Sequence, residues 1–305
     1  MILVAGGTGR LGSGLVPALR AGGRPVRVLT RDPHRAEPLR QFGVEIVIGD
    51  LRDAATLTAA VEGVRTVVSA VHGFARSDGG TPATVDRNGN AALVDAAVRA
   101  GADVVLLSVL GAAADHPLEL FRMKAAAEEH LRARSGASTV LRCAAFVELH
   151  VDVLTKTAGR RRAPTVLGRG DNPLNVVCVE DVVRAVLAAV QGEFAGRTVD
   201  VGGPDDVTMN QLAGAVRRRL GRTDRRIRHV PRGVLRAVAA TDRLPRVPLR
   251  QVAALALAVD TLPMTYAALH DGGAVEWRGV AGVPRDPAGQ AGASGRDAGL
   301  SRRGS

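Results

Sequence analysis

A chain of 305 residues with 46% hydrophobic residues can hold one large α/β domain, or one domain with a smaller lobe, and with aromatics at 2% its core is built from Val, Leu and Ala. Two cysteines, Cys143 and Cys178, far apart and without C-x-x-C spacing, give no disulfide framework and argue against zinc, so no metal site is expected. The net charge of +11 invites a nucleic-acid reading, but the basic residues are nearly all Arg, with Lys124 and Lys156 the only lysines, a skew that fits a GC-rich coding bias better than a selected patch.

The chain opens on an apolar strand, Ile2–Ala5, that runs into Gly6-Gly7-Thr8-Gly9-Arg10-Leu11-Gly12 and then into the helical pattern Leu11, Leu15, Val16, Leu19. A glycine-rich turn between a buried strand and a helix is a phosphate cradle. Gly6 permits the tight turn, Gly9 lets a pyrophosphate approach the backbone, and Gly12 lets the helix pack closely on the strand. The free N–H groups and the dipole at the helix start favour an anion. Thr8, Arg10 and Leu11 belong to the same cradle. Gly22-Gly23 ends the helix.

A second strand, Val26–Thr30, is followed by Arg31-Asp32-Pro33. An acidic residue at this strand end would take a ribose hydroxyl, whereas an Arg grips a 2′-phosphate with paired hydrogen bonds. Asp32 comes one position late, before Pro33, where it caps the next helix. Arg31 therefore favours NADP(H) over NAD(H), with a plain surface Arg as the alternative. The third strand, Val44–Ile48, leads to Gly49-Asp50-Leu51, and the fourth, Thr66–Ala70, leads to Val71. Such strand ends open on the cofactor crevice, which puts Asp50, Leu51, Ala70 and Val71 near adenine and its ribose. Capping is the alternative for Asp50, and Asp53 is the expected N-cap of a helix through Val61.

The fifth strand, Val104–Ser108, precedes a helix containing Phe121-Arg122-Met123-Lys124 and Glu128; the sixth is Thr139–Arg142. A lysine in an arginine-dominated chain suggests a need for a compact ammonium. Lys124 could bind the nicotinamide ribose or lower the pKa of a nearby acid; otherwise it is a solvated Lys paired with Glu128 at i+4. Strands alternating with helices imply a doubly wound parallel sheet with right-handed crossovers over residues 1–150.

Beyond it the pattern loosens. Val176–Val179 reads as a strand, Glu180 to about Val190 as a helix, and Thr198–Val201 as a short strand before Gly202-Gly203-Pro204. Thr208 caps a helix to Leu220, and 227–270 reads as mixed helices. Residues 151–270 are thus expected as a small, mostly helical substrate lobe interleaved with the last strands of the core. The basic run Arg217, Arg218, Arg219, Arg222, Arg225, Arg226, Arg228, Arg232 and Arg236 lacks interleaved aromatics, so it reads as a solvated or acidic-substrate-facing surface rather than a nucleic-acid site. From Gly272 the chain is rich in Gly, Ala, Arg and Ser, so 271–305 is expected as a tail, with Gly279–Ser305 disordered. No leader pattern precedes the first strand. The best apolar run, Gln251 to Leu269, contains Asp260 and Pro263, so no membrane span and a cytoplasmic location are expected.

Taken together, the chain resembles the NmrA-like group of atypical short-chain dehydrogenases/reductases. The resemblance rests on Gly6–Gly12, Arg31, Gly49-Asp50-Leu51, Val85-Asp86 with Gly89-Asn90 and Asp95-Ala96-Ala97, and Leu107-Ser108. It continues through Lys124-Ala-Ala-Ala-Glu128, Leu141-Arg142 with Phe146, Val179-Glu180-Asp181-Val182 and Gly202-Gly203-Pro204, covering about 1–220 and more loosely to about 270. It implies a Rossmann fold and places Phe146 near the nicotinamide, with the residues after it lining a substrate pocket. Better-known relatives use a Tyr-x-x-x-Lys pair whose Tyr is the general acid. Here Leu120 stands four before Lys124, and the single tyrosine, Tyr266, is followed four residues later by His270, so no such pair exists. Ser108 is the nearest hydroxyl candidate, with packing or capping as its alternative. Cys143 stands where relatives often have Pro, and a buried cysteine there is inert packing.

The function expected on these grounds is NADP(H)-dependent reduction of a small quinone or carbonyl substrate, with Lys124 and Ser108 as catalytic candidates. A non-catalytic NADP(H)-binding redox sensor is the alternative; a sugar-nucleotide epimerase or dehydratase ranks lower because those reactions also normally depend on the Tyr. The oligomeric state is not legible.

Overall fold

The computed structural model describes residues 1–74, 80–159, 163–222, 226–240 and 247–279. In chain order the strands are β1 (Ile2–Ala5), β2 (Val26–Thr30), β3 (Glu45–Ile48), β4 (Thr66–Ser69), β5 (Asp103–Val109), β6 (Thr139–Cys143), β7 (Ala145–Phe146), β8 (Thr165–Leu167), β9 (Pro173–Val177), β10 (Thr198–Gly202), β11 (Asp206–Thr208), β12 (Arg228–Val230) and β13 (Val275–Arg278). The helices are α1 (Arg10–Ala21), α2 (Pro33–Ala36), α3 (Ala54–Val61), α4 (Asn90–Arg99), α5 (Glu119–Arg134), α6 (Val147–Ala158), α7 (Val179–Val190), α8 (Met209–Arg219), α9 (Arg232–Ala240), α10 (Val247–Thr261) and α11 (Tyr266–Leu269). A π-helical turn, Pro82–Gly89, leads into α4.

The central sheet has the order β13-β10-β6-β5-β4-β1-β2-β3, with its paired strands parallel. Strand order reverses at β1, between β2 and β4, which opens a crevice at the strands' carboxyl ends. Strand periodicity divides the core. Val4, Val28, Val105, Leu107, Leu141 and Val199 face the α1/α7 layer, whereas Leu3, Leu29, Val104, Leu106 and Val140 face the α3–α5 layer. At these positions the strands are apolar on both faces, as a sheet covered by helices on each side requires.

Caps follow local chemistry. Asp32 accepts from the amides of His34 and Arg35 and starts α2. Asp53 accepts from Ala55 N, and the Thr208–Gln211 capping box starts α8.

Several expectations need correction. The strand placed at Val176–Val179 is β9, Pro173–Val177, because Cys178 already caps α7 and Val179 is helical. Beside its helices the lobe carries short strands, of which the sequence marked β9 alone: β9 lies between β7 and β11 in a small sheet, and β8 pairs in parallel with β12. The tail also begins too early in the reading from composition. Val275–Arg278 adds to β10 as the edge of the central sheet, with Trp277 packed edge-on to Phe194. Expectations for 280–305 and for Arg225 lie outside the described residues. No helix among the described residues is long and apolar enough to cross a membrane.

Candidate functional site

The crevice at the β1 reversal is a cavity of about 490 Å³, a size suited to a small-molecule or cofactor site. It is walled by Gly6, Thr8, Gly9 and Arg10 of the cradle; by Leu29, Thr30, Arg31, Asp32 and Arg35 after β2; by Gly49, Asp50 and Leu51; and by Ala70, Val71, His72, Phe74 and Val85. Sequence reasoning thus brings Gly6, Thr8, Gly9, Arg10, Arg31, Asp50, Leu51, Ala70 and Val71 together around one space.

The cradle needs its glycines for two separate reasons. Gly6 has φ +88°, and a side-chain carbon there would lie 2.6 Å from Ala70 O. At Gly12 a side-chain carbon would fall onto the Gly7 backbone, so α1 could not approach β1 as it does. Gly9 is different: its position would meet only Gly6 O, at 3.1 Å, and it borders the open cavity. The space above Gly9 therefore admits an external group, and Leu11 and Gly12, both buried, support the cradle from behind.

At the other end the walls are charged. Arg31 lies 3.8 Å from Asp50, whose carboxylate also takes Nε and the amide of Arg52, both at 2.9 Å. Arg35, which sequence reasoning passed over, reaches Thr8 O at 3.1 Å and shares the wall with Arg31. Its signal was available: it stands four residues after Arg31, on the short helix that Asp32 caps. Two guanidiniums at this corner can take a phosphate; the Asp50 carboxylate beside Arg31 can take a hydroxyl or an amine.

Neither catalytic candidate lines the cavity among the described residues. Ser108 alternates with Val104 and Leu106, so it points into the α3–α5 layer, where its hydroxyl donates to Glu128 at 2.5 Å. This corrects the reading of Ser108 as a proton source, because its proton is committed to a buried carboxylate. Lys124 is neither the solvated Lys nor the partner of Glu128. It is 4% exposed, donates to Val71 O at 2.9 Å and Leu107 O at 3.0 Å, and pairs with Asp86 Oδ1 at 3.1 Å. Two of its three N–H donors are thus spent on backbone carbonyls, and its charge is balanced by a buried carboxylate. Phe146 is half-buried against the α1/α7 core and lies outside the cavity wall.

Tyr266 is also committed: its hydroxyl donates to Asp200 O at 3.1 Å, its ring packs on His270, and burial pushes its pKa up. Burial raises the Cys143 thiol to about 12, which matches the inert role read for it. The basic run is not one solvated surface: Arg232 is bound to the buried Asp260, and Arg222 donates to Ala158 O at 3.2 Å.

The model of the NmrA-like family matches residues 1–263. The NAD(P)H azoreductase of Xenophilus azovorans is 29% identical over 225 residues, 73% of this chain and 74% of that one. A photosystem II assembly factor of Synechocystis is 29% identical over 250 residues, 79% of this chain and 74% of that one. Among solved structures, the triphenylmethane reductase of Citrobacter complexed with NADP(H) superposes with a TM-score of 0.69 at 20% identity, covering 90% of this chain and 93% of that one. An NADPH-dependent quinone oxidoreductase of Escherichia coli complexed with NADPH gives 0.67 at 21%, covering 89% and 91%. At such identities these two structures bear on the fold.

Proposed function

Because the chain belongs to the NmrA-like family, we propose that it is an NADP(H)-dependent oxidoreductase that reduces a small quinone or carbonyl substrate. The observation that carries this reading is one continuous cavity with a glycine cradle at one end and Arg31 and Arg35 at the other. A dinucleotide phosphate has a pyrophosphate for the first and a 2′-phosphate for the second. Gly6, Thr8, Gly9 and Arg10 would hold the pyrophosphate, and Asp50, Leu51, Ala70 and Val71 the adenosine. Leu11 and Gly12 would shape the cradle, and Phe146, outside this wall, would lie near the nicotinamide as the family resemblance implies. Bound there, a reduced nicotinamide supplies a hydride, and the protein's part is to position it and exclude side reactions. The azoreductase, triphenylmethane reductase and quinone oxidoreductase likenesses support a reductase. Electron-poor conjugated substrates also suit a chain with no Tyr-x-x-x-Lys pair.

The test is NADPH oxidation across a quinone and carbonyl panel, alongside NADPH binding by fluorescence. Binding with turnover of at least one substrate is expected; binding without turnover of any overturns the reductase reading. That result would favour the second reading, a redox sensor, which draws support from the assembly-factor relative and from the internal commitment of Lys124 and Ser108. A sensor must bind NADP⁺ and NADPH with different affinities, since a ligand shifts an equilibrium only by differential binding.

A further inference from the structure

The positive charge of the chain is not spread along it. Residues 207–259 carry twelve arginines and two aspartates, so ten of the eleven net charges fall in one stretch and the rest of the chain is nearly balanced. A coding bias toward arginine does not by itself remove the acids beside it. The stretch builds α8, β12, α9 and most of α10. Of these, α8, β12 and α10 pack around β8, and α9 lies along α10. Arg232 at the start of α9 meets Asp260 at the end of α10, so the two helices run antiparallel as a hairpin. Arg232 and Arg222 serve the fold, whereas Arg218, Arg219, Arg226, Arg228 and Arg236 are exposed.

The same stretch carries an apolar helix that the protein leaves largely uncovered. The eight residues 252–259 of α10 are all apolar, yet only Ala253 and Ala258 among them are buried. Val252 is exposed, and Leu255 and Leu257 are half-buried. Leu249, one turn earlier, and Val234 on α9 are exposed as well. A helix that is apolar all round belongs in a core or in lipid. Its far end is fixed to the lobe: Asp260 takes the amides of Arg169 and Gly170 at 2.9 and 2.8 Å, and Asn172 Nδ2 donates to Val259 O at 2.6 Å. With 15 residues, α10 is about 22 Å long, short of the ~30 Å hydrocarbon core of a bilayer. It can lie on a membrane but not cross it.

We propose that the α9–α10 hairpin docks on an anionic phospholipid surface, with Val234, Leu249 and Val252 entering the boundary between headgroups and acyl chains and the arginines meeting the lipid phosphates. Charge and apolar surface together single out this occupant. A second copy of the chain would bring two basic faces together, which like charges oppose. A nucleic acid would engage the arginines but leave the apolar helix in water, and no Phe, Tyr or Trp stands between Phe194 and Tyr266 to stack on bases. An anionic bilayer offers both features: a negative surface potential felt over about a Debye length, ~10 Å at 0.1 M salt, and an apolar boundary beneath it. No residue of the hairpin walls the crevice, so docking is independent of the reductase reading.

The test is sedimentation of the full chain with vesicles of phosphatidylcholine alone and of phosphatidylcholine and phosphatidylserine in equal parts. Binding to the mixed vesicles is expected, with little to the neutral ones, and salt at about 1 M, where the Debye length is ~3 Å, should release the wild-type protein. Arg218→Gln, Arg219→Gln and Arg236→Gln together should weaken binding about 100-fold, at about fivefold for each arginine lost near the surface. Leu249→Asn with Val252→Asn leaves the charge intact and should weaken binding about tenfold or more, through the loss of two buried aliphatic side chains; adsorption by charge alone would not respond. All five residues are exposed, so both variants should keep the wild-type thermal midpoint. Absence of binding to the mixed vesicles, equal binding to the neutral ones, or binding untouched by both sets of substitutions overturns the proposal. Duplex DNA bound more tightly than the mixed vesicles, and equally well by Leu249→Asn with Val252→Asn, would make this a nucleic-acid surface. A wild-type dimer that the same two substitutions separate would make it a self-interface. Either result overturns the lipid assignment.

Discussion

The two ends of the crevice handle polar residues in opposite ways. Under β1, β2 and β3, Thr8, Arg10, Arg31, Arg35 and Asp50 all border the open cavity. Under β5, β6 and β10, the polar residues turn away from it. Ser108, Arg142 and Asp200 stand in register on adjacent strands and face the α3–α5 layer as one row. Glu128 of α5, fully buried, takes Ser108 Oγ, Nε and Nη2 of Arg142 and Nη2 of Arg132; Arg142 reaches on to Asp271, and Asp200 holds His270. Both groups sit near the carboxyl ends of parallel strands, where ligands bind in such folds. Side-chain parity separates them: one set borders the open cavity, and the other is turned toward partners within the protein.

Breaking the buried row should have the largest effect. Glu128→Ala leaves the nearly buried Arg142 without its main carboxylate, and removing one partner of a buried pair costs about 3–5 kcal/mol. Urea unfolding should show that loss, while NADPH affinity of the folded protein stays unchanged. A matching loss of cofactor affinity would mean that the row and the cavity act as one unit. Next comes the cradle. Gly9→Val fills the space over Gly6 O that an external phosphate would use, so NADPH affinity should fall by about 100-fold, or about 2.7 kcal/mol, with little change in the unfolding midpoint. A variant that binds normally would remove the pyrophosphate assignment.

Much of this was legible in the chain. β1 and β2 lie where the apolar runs put them, because a strand buried on both faces reads as a largely apolar segment, broken in β2 only by the half-buried Arg27. The Asp32, Asp53 and Thr208 caps were legible because capping is local chemistry. Nine of the residues read as cofactor-binding do line one cavity, since a glycine turn and the ends of neighbouring parallel strands must converge. What failed depended on direction or on distant partners. Ser108 was judged by its place at a strand end, yet the alternation Val104, Leu106, Ser108 already assigned it to the helix-covered face. Lys124 was weighed against its i+4 neighbour, whereas its partners are 17, 38 and 53 residues away at Leu107, Asp86 and Val71. β13 was invisible because composition changes at Gly272, and a four-residue edge strand in a Gly-rich stretch carries no period.

At the adenosine corner, Arg31→Ala should weaken NADPH by about 2 kcal/mol, on the scale of a hydrogen bond to a charged group, and leave NADH nearly unchanged. Equal losses for both cofactors would remove the 2′-phosphate assignment. Arg35→Ala in the same assay sharpens the point: a selective loss makes the two arginines a shared clamp, and no loss returns Arg35 to its contact with Thr8 O.

The smallest effect is the most discriminating. Ser108→Ala removes one donor from Glu128 but leaves the carboxylate with Arg142 and Arg132. The expected cost is about 1 kcal/mol of stability, the net worth of one intramolecular hydrogen bond, with kcat and NADPH affinity unchanged. A fall in kcat of about tenfold or more at constant stability would mean that the Ser108 hydroxyl rotates out of the buried row during turnover and that the two ends of the crevice share their chemistry. The parity of β5 opposes that outcome: reaching the cavity from Ser108 means leaving the face that Val104 and Leu106 occupy, and a strand hydrogen-bonded on both sides, to β4 and β6, does not turn one residue over without breaking its ladder.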